Sequence, residues 1–288
     1  MLITKKLCYS EKIPKSLFSM VELLNGGMDF AILRPSSEHY MGLEKRMASL
    51  EEASRISGRR LNMILELSPS IPKDDDSDQR LMIREDVKAE IKWGKKVGIS
   101  YYYCPNIRNR ADVLEYKKEI LKAYSKDECL PMILSELGNA YSIKNIIEIV
   151  KESDALIVNT NSLERQFPSK QVPLIINDII LKCNENGKPV ILKEYWEDID
   201  LERINYEAVD GIIFVLEKNS RKTISEVIEI FNRDSARSNG KTLKTNPSVS
   251  LSNWSHGVHL ANQLNARAII ITIENNEGAI LTILKANS

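Results

Sequence analysis

Five ionisable residues stand where a strand-and-helix fold does its chemistry. Arg34, Glu66, Glu136, Glu194 and Glu217 each fall at the C-terminal end of a short apolar run, and in parallel barrels that end of the sheet carries the active site. Clustered carboxylates can hold a divalent ion or shift one another's proton affinity. A new metal or acid–base site is therefore the sharp reading of this ring. Solvated or mutually paired charges are the plainer reading and the preferred one, and the absence of a histidine from the ring weakens a zinc site further. His256 and His259 lie three apart in a helical stretch; surface histidines explain them better than a metal pair does. Tyr101, Tyr102 and Tyr103 alternate between the two faces of a strand and read as core packing.

The elements that position these residues recur at regular intervals. Strand-like runs are predicted at Lys6–Tyr9, Phe30–Leu33, Met63–Leu67, Ile99–Cys104, Met132–Ser135, Leu156–Val158, Val190–Leu192 and Ile212–Leu216. Helical patterns fall between them, near 16–25, 40–57, 84–97, 110–124, 142–152, 170–186, 201–207 and 222–234. Eight such units make an α/β fold of the (β/α)8 TIM barrel class. A doubly wound open sheet is the alternative, but no glycine-rich dinucleotide turn supports it.

Composition sets the outer bounds. The 288 residues are 43% hydrophobic, enough for one large core, and 40 basic residues balance 40 acidic ones. Zero formal charge steers the chain towards neither nucleic acid nor membrane. No apolar h-region opens the sequence and no run is long enough to span a bilayer. Cys8, Cys104, Cys129 and Cys183 show no metal or disulfide spacing and read as reduced core thiols of a cytoplasmic protein.

One stretch narrows the fold further. Asp154 to Val158 is an apolar strand and Asn159 to Asn161 a polar turn. Pro168 then leads into a helix that ends at Cys183-Asn-x-x-Gly-Lys-Pro-Val-Ile191, a βαβ unit. These residues resemble the sixth strand and loop of pyruvate kinase, with Asp154, Val158, Leu163, Pro168 and the whole Cys183–Ile191 motif in register. The family's Arg-Gly-Asp at the centre of its active site reads Thr160, Asn161 and Ser162 here. The run Gly26-Gly-Met-Asp-Phe-Ala-Ile-Leu-Arg-Pro-Ser-Ser37 is similar to the family's second strand. There the catalytic arginine is Ile32, the potassium-site asparagine is Arg34, and the family's serine is retained as Ser36. Strand three ends Leu65-Glu66-Leu67-Ser68-Pro69; beyond it the family inserts a small lid domain. This chain crosses through Lys73–Asp78, whose acidic run 74–78 is read as a solvated linker.

The resemblance implies what each remaining position has lost. The family's phosphoryl-polarising lysine aligns with Glu136, its metal-binding glutamate with Gly138, its metal-binding aspartate with Ser162 and its substrate-binding threonine with Glu194. Glu217 is retained. Arg233 to Asn246 reads as a linker, and Ser250–Leu264 followed by Ala268–Ile273 resembles the start of the family's C-terminal domain. The implied architecture is a pyruvate-kinase-type barrel over residues 1–238 without its lid, and a truncated α/β C-terminal extension over 239–288. In that extension Trp254, Val258, Ala261 and Leu264 form an apolar stripe. The expected function is that of a pseudoenzyme, a non-catalytic binding or regulatory subunit. Phosphate transfer from phosphoenolpyruvate to ADP is the alternative, and a new carboxylate-based activity is the second. The family uses magnesium and potassium; no cofactor is expected here. The expected partner is a protein, another copy of the chain or a full-length pyruvate kinase subunit.

Overall fold

The computed structural model describes residues 6–10, 16–25, 28–35, 39–72, 81–124, 129–195 and 209–215. Its strands are β1 (Lys6–Ser10), β2 (Met28–Leu33), β3 (Asn62–Glu66), β4 (Ile71–Pro72), β5 (Leu81–Met82), β6 (Tyr101–Cys104), β7 (Met132–Leu137), β8 (Ala155–Asn159), β9 (Val190–Tyr195) and β10 (Gly211–Val215). The helices are α1 (Leu17–Asn25), α2 (Tyr40–Ser57), α3 (Glu85–Lys96), α4 (Arg110–Ala123), α5 (Ala140–Lys144), α6 (Ile146–Glu152), α7 (Thr160–Glu164) and α8 (Val172–Glu185). Parallel strands pair in the order β1-β10-β9-β8-β7-β6-β3-β2, and β1 also pairs with β2, so the sheet curls into an α/β barrel. The helices expected near 201–207 and 222–234, the boundary at 238 and the C-terminal extension lie outside the described residues.

Period-two alternation builds two cores from one sheet. Phe30, Ile32, Ile64, Tyr101, Met132, Leu134, Ala155, Ile157 and Ile213 fill the lumen. Leu33, Leu65, Tyr102, Ile133, Leu156 and Leu192 face outward and pack beneath the helices. Tyr102 fits this outer layer by donating its hydroxyl to the Ile91 carbonyl at 3.1 Å. The close approach fixes Gly94: a Cβ there would stand 2.7 Å from the Tyr102 hydroxyl and 2.8 Å from Leu65 Cδ2.

Several expectations need correction. The helix expected over 142–152 is two helices, α5 and α6, because Asn145 turns aside and donates its amide to the Arg108 carbonyl at 3.1 Å. After β3 the chain crosses towards α3 by way of a short two-stranded pairing that the sequence did not suggest. Ile71–Pro72 and Leu81–Met82 pair as an antiparallel ribbon, while the acidic run 74–78 lies outside the described residues. The start of that crossing is pinned from below. Ser68 donates its N–H and hydroxyl to the Glu90 carboxylate at 2.7 and 2.6 Å, and the Ser70 N–H reaches the Tyr116 hydroxyl at 3.3 Å. Cys104 and Cys183 are buried, but Cys129 is exposed and is no core thiol. Burial pushes the Cys183 thiol up to about 12, which leaves it unreactive.

Candidate functional site

Along each inner strand face the residues change from apolar to polar as the strand approaches its C-terminal end. On β2, Phe30 and Ile32 are followed by Arg34; on β3, Ile64 by Glu66; on β6, Tyr101 by Tyr103. On β7, Leu134 precedes Glu136, on β8 Ile157 precedes Asn159, and on β9 Ile191 precedes Lys193. The alternation that packs the lumen thus delivers these polar side chains to its upper rim.

They form one connected network. Arg34 Nη2 donates to both oxygens of Glu66, at 2.6 and 2.7 Å. The Lys193 ammonium lies 3.7 Å from Glu66 Oε1 and donates to the Tyr103 hydroxyl at 2.8 Å. Tyr103 donates in turn to Glu136 Oε2. The other Glu136 oxygen accepts from Asn159 Nδ2 at 2.9 Å. Among the described residues, Arg34 and Lys193 oppose Glu66 and Glu136, so these four charges balance one another. Apart from Arg34, whose side chain is 23% exposed, these charged groups are almost wholly buried. Such charges persist only when paired and hydrogen-bonded. Burial, together with the nearby negative charges of Glu136 and Glu66, pushes the Tyr103 hydroxyl well above its usual value, so it remains a donor.

The loops after β7 and β8 are clamped to each other above this network. Asn159 caps α7 by accepting from the Ser162 N–H at 3.1 Å. The expected polar turn at Asn159–Asn161 is therefore the start of a short helix, made possible by a side chain that satisfies an orphan N–H. Gln166 donates to the Gly138 carbonyl at 2.8 Å and accepts from the Ala140 N–H at 3.1 Å. Gly138 sits beneath this clamp. A Cβ there would meet Ser162 Cβ at 3.1 Å, and Asn159 Cβ and Glu136 Oε1 at 3.3 Å each.

This arrangement does not suit the metals that the resemblance implies. Gly138 and Ser162 carry no carboxylate, and the space a longer residue at 138 would need is taken by Asn159 and Ser162. Glu136 is the nearest anion, and both of its oxygens already accept hydrogen bonds. Among the described residues no three histidine, cysteine or acidic groups gather as metal ligands. A potassium ion at the asparagine position would meet the Arg34 guanidinium and be repelled by it.

Of the five residues read as a ring, the structure brings Arg34 and Glu66 into contact and connects Glu136 to them through Tyr103 and Lys193. Glu217 lies outside the described residues, as do the side chain of Glu194 and the whole of Ser36. Ile32 is packed in the apolar lumen. Thr160 is buried and donates its hydroxyl to the Lys193 carbonyl at 3.0 Å. Lys193, Tyr103 and Asn159 belong to the site although sequence reasoning did not single them out for it. The usable signal was parity: each lies two residues beyond a lumen residue, Ile191, Tyr101 and Ile157 respectively.

Comparison with known proteins bears on the same strands. A family model described as pyruvate kinase, barrel domain, matches residues 77–195. Pyruvate kinase of Geobacillus stearothermophilus is 37% identical over 109 residues, which cover 38% of this chain and 18% of that protein. Pyruvate kinase of Staphylococcus aureus (strain USA300) is 31% identical over a stretch of the same length and the same coverage. The chain thus matches less than a fifth of the length of these relatives. Through the region that supplies Tyr103, Glu136, Asn159 and Lys193, the chain is related to the pyruvate kinase family.

Proposed function

We propose that the chain is a pyruvate-kinase-like pseudoenzyme, a barrel that does not transfer phosphate and serves as a binding or regulatory subunit. The observation that supports this best is Glu136. Phosphoryl transfer relies on positioned cations to neutralise charge on the moving group, and at the expected lysine position this chain has a carboxylate. That carboxylate is held in place by Tyr103 and Asn159. Ile32 offers no donor where the family has arginine. Losing one preorganised electrostatic contact costs roughly 3 kcal/mol, about a hundredfold in rate, and here several are missing together.

The reading extends to the whole chain as a full (β/α)8 barrel of pyruvate kinase type over residues 1–238, followed by a C-terminal α/β segment over 239–288. Among the described residues no helix is long and apolar enough to cross a membrane, and the formal charge is zero. The proposed location is the cytoplasm, and the proposed partner is another protein, a second copy or a full-length pyruvate kinase subunit. A coupled pyruvate assay with magnesium, manganese and potassium is expected to show no turnover. Sustained turnover of about 1 per second, the low end for kinases, that disappears on Glu136→Ala would refute the proposal. Native mass measurement on protein drawn from its own source is expected to show a complex. A monomer alone would overturn the subunit reading.

A further inference from the structure

Lys193 is 7% exposed, an uncommon position for a strongly hydrated ammonium. It is held at both ends, by Thr160 on its carbonyl and by Tyr103 and Glu66 on its ammonium. Charge balance alone would be served as well by a guanidinium. What a lysine adds is a primary amine, and this one touches a phenol whose own proton already points at a carboxylate. Fixed amines of this kind attack carbonyl carbons, and a phenol within hydrogen-bond reach can move the protons that the attack requires.

We propose that Lys193 forms an imine with a small aldehyde at the strand-end face, with Tyr103 and Glu136 carrying the protons. The ammonium gives one proton to the Tyr103 oxygen while the phenolic proton passes to Glu136. The neutral amine attacks the carbonyl carbon and the C=O π bond breaks onto oxygen. Tyr103 relays a proton from nitrogen to that oxygen, giving a carbinolamine. The proton stored on Glu136 then returns through Tyr103 to the hydroxyl, which leaves as water as the nitrogen lone pair closes the C=N bond. The product is a protonated imine, and Glu136 is again ionised. The high proton affinity of the Tyr103 hydroxyl keeps it protonated between transfers. Ile191, two residues earlier on β9, packs against the lumen core below, which closes the approach to the amine from that side.

The test is reductive trapping with glycolaldehyde and sodium cyanoborohydride, which fixes the imine as a secondary amine, followed by peptide mapping. Lys96, Lys118 and Lys122, whose side chains are 77%, 58% and 58% exposed, serve as internal references. The Lys193 peptide is expected to gain its hydroxyethyl group about tenfold faster than these, with general acid–base help of that order or more. A structural ammonium, shielded in the lumen, labels last; that order, or equal rates, overturns the proposal. Lys193→Arg keeps the charge and is expected to abolish the fast-labelled site while leaving the three references unchanged. In folded Tyr103→Phe the Lys193 rate is expected to fall about tenfold against Lys96 in the same sample, and an unchanged ratio overturns the relay.

Discussion

Removing the Lys193 charge tests whether the lumen rim works as one balanced unit. With Lys193→Met, Arg34 still neutralises Glu66 at 2.6 Å, so the uncompensated charge is Glu136, reached through Tyr103. The scale for a direct contact in this rim is set by the 3.7 Å between Lys193 and Glu66, where unit charges interact by about 4 kcal/mol at an effective dielectric of 20; Glu136, reached through Tyr103, feels less than this. Breaking one partner out of a buried pair costs about 3–5 kcal/mol. The remaining Arg34 argues for the lower end, roughly 3 kcal/mol, or about 6–12 °C in melting temperature for a domain of this size. Glu136→Gln removes the opposite charge while its carbonyl oxygen can still accept from Tyr103 or Asn159. The double variant restores electrical balance. Its loss is therefore expected to be smaller than the sum of the single losses by about 1.5 kcal/mol or more, within the range seen for groups in one network. Urea unfolding of the four proteins supplies the cycle. Additivity within about 0.5 kcal/mol would show that Lys193 and Glu136 do not sense each other, and the network argument would fail.

Three further outcomes follow from other parts of the barrel. Gly94→Ala is expected to destabilise the fold by about 1–3 kcal/mol, since the new Cβ meets the Tyr102 hydroxyl and Leu65 Cδ2; a thermal melt unchanged from the parent would contradict that packing. Burial pushes the Asp210 carboxyl up to about 6, while the Val190 N–H that it accepts at 2.9 Å acts the other way. A carboxyl raised in the folded state favours folding fully below its unfolded value near 4, and that contribution is lost as pH rises through about 6. Asp210→Asn keeps an acceptor for Val190, so it is expected to be more stable than the parent above pH 6 and to lose that advantage below about pH 4; a constant difference across pH would sink the assignment. Restoring the two family carboxylates by Gly138→Glu with Ser162→Asp is expected to yield no pyruvate and a less stable protein. Asn159 and Glu136 occupy the space the glutamate needs, and magnesium-dependent turnover by that variant would refute the reasoning.

The barrel was legible because its determinants are local. Each inner strand announces itself by alternation, as in Met132–Leu137, where Met132, Leu134 and Glu136 face the lumen and Ile133 and Leu137 face the helices. Helix α2 falls at 40–57 as expected, and its end is marked by Gly58 in the left-handed conformation with φ of 66°. The site was only half legible, for a different reason. Charge identifies Arg34, Glu66 and Glu136, but their roles depend on which residues meet across the lumen, and those contacts join positions far apart in the chain. The Lys193–Tyr103 contact spans 90 positions and the Arg34–Glu66 pair spans 32. Tyr103 shows the difficulty best. From its neighbours it is one of three packing tyrosines, and Tyr102 behaves as one, bonding to the Ile91 carbonyl of α3. A shift of one residue turns Tyr103 into the lumen instead. There its hydroxyl stands between the Lys193 ammonium and the Glu136 carboxylate, and closes the circuit that the charged residues alone leave open.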